Sequence, residues 1–152
     1  MIKALVLACG NPLRGDDGVA LEVVNHLQKA LSDPATEFYC QQQWTPELAE
    51  PVSQAEFVVF VDAALDGPPG SIACRKLRTN RGASLRGTHY STPESLLLLA
   101  EDVYGQRPSR AYLVTVAGAA FELEENLSDP VRNAIPGAVQ RIKELLSGAL
   151  SD

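Results

Sequence analysis

Apolar residues run almost unbroken from Ile2 to Cys9 and stop at Gly10, the pattern of a strand buried on both faces. From Asp17 the period changes. Ala20, Val23, Val24, Leu27, Ala30 and Leu31 fall on one side of a helix that ends before Ser32-Asp33-Pro34. Thr36 to Cys40 reads as a second strand, and Thr45-Pro46-Glu47 opens a short helix with proline at its first position. Phe57 to Val61 is a third strand, again apolar on both faces, ending on Asp62. The link Gly67-Pro68-Pro69-Gly70 is too short for a parallel crossover, so the fourth strand, Ser71 to Leu77, is expected to run antiparallel.

Arg78 to Thr88 is polar and reads as a loop. Thr92-Pro93-Glu94 starts a helix through Leu96, Leu97, Leu99, Ala100 and Val103, stopped by Gly105. Ala111 to Ala117 is a fifth strand. Asp129-Pro130 opens the last helix, whose apolar side runs through Val131, Ala134, Ile135, Ala138, Val139, Ile142, Leu145, Leu146 and Ala149. Pro136 is expected to kink it without breaking its period. This order predicts an α/β fold in three layers: a mostly parallel, twisted five-stranded sheet with one antiparallel strand and helices on both faces. Residues 1–152 read as a single domain. Right-handed crossovers place strand one between strands two and three, and ligands in such sheets bind beyond the carboxyl ends of the strands. Asp17 follows strand one and Asp62 ends strand three, so topology brings both carboxylates to one edge.

Composition narrows the function. The 152 residues carry 13 Lys and Arg against 19 Asp and Glu, a net charge of −6, with no basic stripe, so no nucleic-acid partner is expected. No apolar run reaches the roughly 20 residues of a membrane span, and Leu5 to Cys9 is too short for a secretory core, so no membrane is expected. Cys9, Cys40 and Cys74 form no CxxC pair and read as small hydrophobes of a reducing compartment. A cytoplasmic monomer is the expectation.

Acids at a helix start, such as Asp16 and Asp17, ordinarily cap free amides. A carboxylate ending an apolar strand, such as Asp62, either accepts from loop amides or is functional. His26 reads as a helix surface residue. His89, in Gly87-Thr88-His89-Tyr90-Ser91, gains weight from the two carboxylates: together they make a mixed oxygen and nitrogen set suited to Ni, Zn, Fe or Mn. Gly10 to Gly18 lacks both the Walker ending and the dinucleotide glycine spacing, and no Gly-x-Ser-x-Gly elbow occurs. Cys9 reads as packed rather than reactive.

Gly10-Asn11-Pro12-Leu13-Arg14-Gly15-Asp16-Asp17-Gly18 after an N-terminal strand resembles the opening signature of hydrogenase maturation endopeptidases. Val59-Phe60-Val61-Asp62-Ala63-Ala64 resembles their second motif, His89 falls where the family keeps its histidine, and Leu127 to Val131 before the final helix is similar as well. The likeness covers essentially the whole chain. It implies an endopeptidase that trims the C-terminal extension from a nickel-iron hydrogenase large-subunit precursor after nickel insertion. By motif, Asp17, Asp62 and His89 would be both the catalytic set and the contacts to nickel held in the precursor, with Asp16 a cap or a support behind them. The metal then belongs to the substrate, and the free protein need carry none. A non-catalytic nickel-binding docking or chaperone factor would use the same three ligands; a peptidyl-tRNA type hydrolase is disfavoured by the acidic charge. The chain departs from the family pattern at Ala20, where glycine is common, at Gln41-Gln42-Gln43-Trp44 in place of a glycine-rich turn, and at Ala117 to Phe121. The last two flank strand ends and bear on which precursor is served.

Overall fold

Strands that are apolar on both faces need cover on both, and the chain supplies it with two pairs of helices. The computed structural model describes residues 2–78, 92–123 and 125–150. The elements are β1 (Ile2–Cys9), α1 (Val19–Ala30), β2 (Thr36–Gln41), α2 (Ala49–Gln54), β3 (Ala55–Ala64), β4 (Ile72–Lys76), α3 (Pro93–Tyr104), β5 (Arg110–Ala117) and α4 (Asp129–Leu150). Side chains alternate across a strand. Ala4, Val6, Ala8, Val59 and Val61 therefore pack under α1 and α4, while Leu5, Leu7, Val58 and Phe60 pack under α2 and α3.

The strand order is β2-β1-β3-β5-β4. The β1–β2, β1–β3 and β3–β5 pairs are parallel and β4–β5 is antiparallel. The α/β class, the central place of β1 and the reversed fourth strand all match the expectation. β4 lies against β5, which enters between it and β3, so the link 65–71 spans one intervening strand, about 10 Å. Gly70, at φ 84°, ties that link to β5 by donating its N–H to Ala117 O at 2.7 Å.

Several boundaries differ from the sequence pattern. β3 continues past Asp62 because Asp62, Ala63 and Ala64 pair with Thr115, Val116 and Ala117 of β5. α1 starts at Val19 rather than at Asp17, with Asp16 and Asp17 in a 3-10 turn, Gly15–Gly18, ahead of it. Ala30 is exposed at its last position and Leu31 lies beyond it. α3 begins with a reciprocal cap, Thr92 with Ser95, and ends on Gly105 at φ 76°, as the sequence implies. Its apolar stripe runs out of neighbours in the last turn, leaving Val103 61% exposed. α4 runs unbroken through Pro136, which forgoes one backbone bond. Val131, Ala134, Ile135, Ala138, Ile142 and Leu146 of α4 are buried; the side chain of Ala149 lies outside the described set. Most of the expected loop 78–88 also lies outside the described residues. Among those described, no helix is long and apolar enough to cross a membrane.

The turn after β1 is the tightest place in the fold. A Cβ on Gly10 would collide with the carbonyl oxygen of Asp17, and one on Gly18 would stand 2.8 Å from Pro12 Cα. A Cβ on Gly148, in α4, would have no neighbour within 4 Å. Gly10→Ala is therefore expected to lower stability by about 2–4 kcal/mol through a forced backbone shift. Gly148→Ala should raise it by about 0.5–1 kcal/mol through helix propensity. Urea denaturation of the two variants checks the contrast.

Candidate functional site

Parallel strands deliver their following loops to a common edge, and β1 and β3 are neighbours. The turn after β1 is set by Asn11: its Oδ1 accepts from Leu13 N at 3.0 Å and its carbonyl from Arg14 N at 3.0 Å. Gly15 follows at φ 56°, and the 3-10 turn carries Asp16 and Asp17 back over the strand end. Asp17 Oδ2 accepts from Asn11 N at 2.8 Å.

Asp16 is fully buried and does not cap α1, contrary to the ordinary reading of an acid at a helix start. Its Oδ2 accepts from Ala119 N at 2.7 Å, Ala120 N at 2.9 Å and Ser128 Oγ at 2.8 Å, and its Oδ1 accepts from Ser128 N at 2.7 Å. Burial pushes its carboxyl up, but these four donors outweigh burial and hold it below the ordinary range. Acid at this position thus binds the first motif to the segment after β5 and to the approach to α4.

Asp62 sits on the α2/α3 side of β3, two residues after Phe60, and is half-buried. Its Oδ1 accepts from Ala63 N at 2.8 Å and its Oδ2 from the indole Nε1 of Trp44 at 3.3 Å. Burial is the main force raising its pKa to about 6; the two N–H donors oppose it, and the negative charge of Asp17 adds to it. Cys9, beside them, is pushed up to about 12 by burial and by the charges of Asp62 and Asp17. That thiol is protonated at neutral pH, in line with a packed rather than a reactive cysteine.

Asp17 and Asp62 therefore stand near enough to feel each other, as the topology required. Their hard oxygen donors and like charge suit a divalent cation. His89, the expected third member, lies outside the described residues. Among those described, no three His, Cys, Asp or Glu side chains form a metal-holding group. His26 is apart from the carboxylates, on the α1/α4 side, where it lines a cavity of about 380 Å³ with Ile135, Pro136 and Val139. Trp44 was not singled out from sequence as a site residue. Only its place after β2, a strand next to β1, hints that it reaches the same edge.

No protein-family profile and no curated protein matches the sequence. Solved structures do. The hydrogenase 2 maturation peptidase from a Thaumarchaeota archaeon is 28% identical, with 95% of this chain and 97% of that one covered and a TM-score of 0.72. The hydrogenase maturating endopeptidase HybD from E. coli is 20% identical over 97% and 93%, with a TM-score of 0.75. The NiFe hydrogenase maturation protease HycI from Thermococcus kodakarensis is 22% identical over 99% and 94%, at 0.69. The resemblance carried by the motifs is borne out across nearly the full length of the fold.

The two acids respond to pH with opposite sign. Asp16, with a lowered pKa, stabilises the fold above the unfolded value near 4, and that stability is lost as pH falls through its folded pKa. Asp62, with a raised pKa, contributes stability that is full below about 4 and is lost as pH rises through about 6. At pH 8, Asp16→Asn is expected to lose about 2–4 kcal/mol as amide donors lose a charged acceptor. Asp62→Asn should gain up to about 3 kcal/mol at pH 8, from 1.36 kcal/mol per pKa unit, and nothing at pH 4. Denaturation midpoints of the three proteins at both pH values check this.

Proposed function

We propose that this chain, which shares its fold and motifs with the hydrogenase maturation proteases, is itself a processing endopeptidase. Its substrate is the large-subunit precursor of a nickel-iron hydrogenase, from which it removes the C-terminal extension after nickel insertion. The observation that carries this reading is the pairing of Asp17 and Asp62. The two motifs that resemble the family each bring one carboxylate to the same sheet edge, and among the described residues no salt bridge neutralises either. Such an arrangement is unfavourable on its own and becomes favourable when a metal arrives.

The nickel is part of the substrate. Asp17, held by Asn11, and Asp62, held by Ala63 and Trp44, would contact it together with His89 and so orient the precursor. Bound nickel supplies Lewis-acid polarisation and a template for the scissile segment. The protein residues supply position and negative charge. The loops after β1, β3 and β5 each present an exposed leucine at this edge of the fold: Leu13 at 53%, Leu65 at 79% and Leu123 at 89%. Apolar side chains left in water around a site fit a substrate that is itself a protein surface.

The test mixes the protein with nickel-loaded and nickel-free large-subunit precursors and follows the released C-terminal fragment by mass. Cleavage of the loaded form alone is expected. Equal cleavage of both forms contradicts nickel-dependent recognition, and tight binding of loaded precursors with no fragment from any of them favours a docking factor. His89→Ala and Asp17→Asn should each slow processing at least about 100-fold, since several kcal/mol of orientation are lost at 1.36 kcal/mol per tenfold. Cys9→Ser should leave it intact, because the thiol is protonated.

A further inference from the structure

We propose that Trp44 is a positioning residue: its indole N–H clamps one oxygen of Asp62 and so sets the direction in which that carboxylate meets the substrate. The inference rests on the peptidase reading for its consequence, but not for its geometry. Trp44 is the sole tryptophan of the chain and is only 8% exposed. It lies between β2 and α2.

Two contacts hold the side chain in place. Its ring stands edge-on to Phe60, with centroids 5.5 Å apart and planes at 83°. Edge-to-face packing of this kind adds about 0.5–1.5 kcal/mol beyond burial. Its Nε1 then reaches Asp62 Oδ2 at 3.3 Å. Phe60 and Asp62 are two residues apart on one strand and point to the same face, roughly 6.8 Å from each other. A ring system the length of an indole, seated on Phe60, spans that interval.

The chemistry of the clamp is directional. Indole N–H only donates, so it favours the ionised acceptor and cannot exchange roles with it. With Ala63 N on Oδ1 and Trp44 on Oδ2, both oxygens of Asp62 are tethered and each keeps a further lone pair. A carboxylate tethered at one oxygen only would turn about its Cβ–Cγ bond. Near Asp17, turning away relieves like-charge repulsion, which is the motion a precursor-binding site must prevent.

The experiment starts from the wild-type protein in solution. Its single indole N–H gives one proton–nitrogen correlation, expected downfield and slow to exchange with water at pH 8. Asp62→Ala should speed that exchange roughly tenfold or more, the worth of one hydrogen bond to a charged group. Trp44→Phe keeps a ring on Phe60 and removes the donor. It should lower kcat for processing by roughly tenfold to a hundredfold with KM unchanged, while its denaturation midpoint stays near that of wild type. An indole signal indifferent to Asp62→Ala overturns the proposal, as does full kcat in folded Trp44→Phe. If the wild type releases no fragment from any loaded precursor, the peptidase reading fails instead, and the indole exchange rate alone decides whether the clamp exists.

Discussion

One buried carboxylate holds the working edge of this protein together. Asp16 has no exposed surface, and its two oxygens collect four donors from Ala119, Ala120 and Ser128. An unpaired charge in that position would be prohibitive; a charge with four short hydrogen bonds is favourable. The network joins the turn after β1 to the segment after β5 and to the start of α4. A further backbone bond, Asp16 N to Ala120 O at 2.8 Å, closes the same joint. Asp17 is the next residue in the chain, so its position is inherited from this joint.

The neighbouring acids are built on a different principle. Asp62 accepts two N–H groups, too few to offset burial and the nearby charge of Asp17, and is driven up to about 6. Local instability of this kind is tolerated because the scaffold beneath is stiff: β1 and β3 are fully buried along most of their length, with helices on both sides. Under the proposed function, acids held close by a rigid edge would meet a cation that comes with the substrate. The same sheet geometry explains why His26 stands apart from Asp62, since α1 carries it along the other layer.

Much of the fold was legible because apolar period is a direct consequence of burial. Two-faced strands at Ile2 to Cys9 and Phe57 to Val61 demanded helices on both sides, and the short link at Gly67 to Gly70 forced the reversed strand. Asp17 and Asp62 were legible through topology, which needs only that β1 and β3 be adjacent. The use of Asp16 was not, because its partners lie more than a hundred residues away in sequence. Nor could local pattern show that β3 runs past Asp62, which depends on pairing with β5. Trp44 was hidden for a similar reason: packing edge-on against Phe60 and reaching Asp62 are contacts between elements, invisible in a short polar run. Ala30 and Val103 fit their helical stripes but sit at helix ends, where packing stops before periodicity does.

The central claim is that substrate nickel is met by carboxylates of this chain. X-ray absorption at the nickel edge of a loaded precursor, before and after adding the protein, tests it most directly. The expected result is new oxygen scattering from Asp17 and Asp62 at roughly 2.0–2.2 Å, the range for carboxylates on such metals, which disappears in the Asp17→Asn, Asp62→Asn double variant. A nickel shell that is identical with and without bound protein would contradict it.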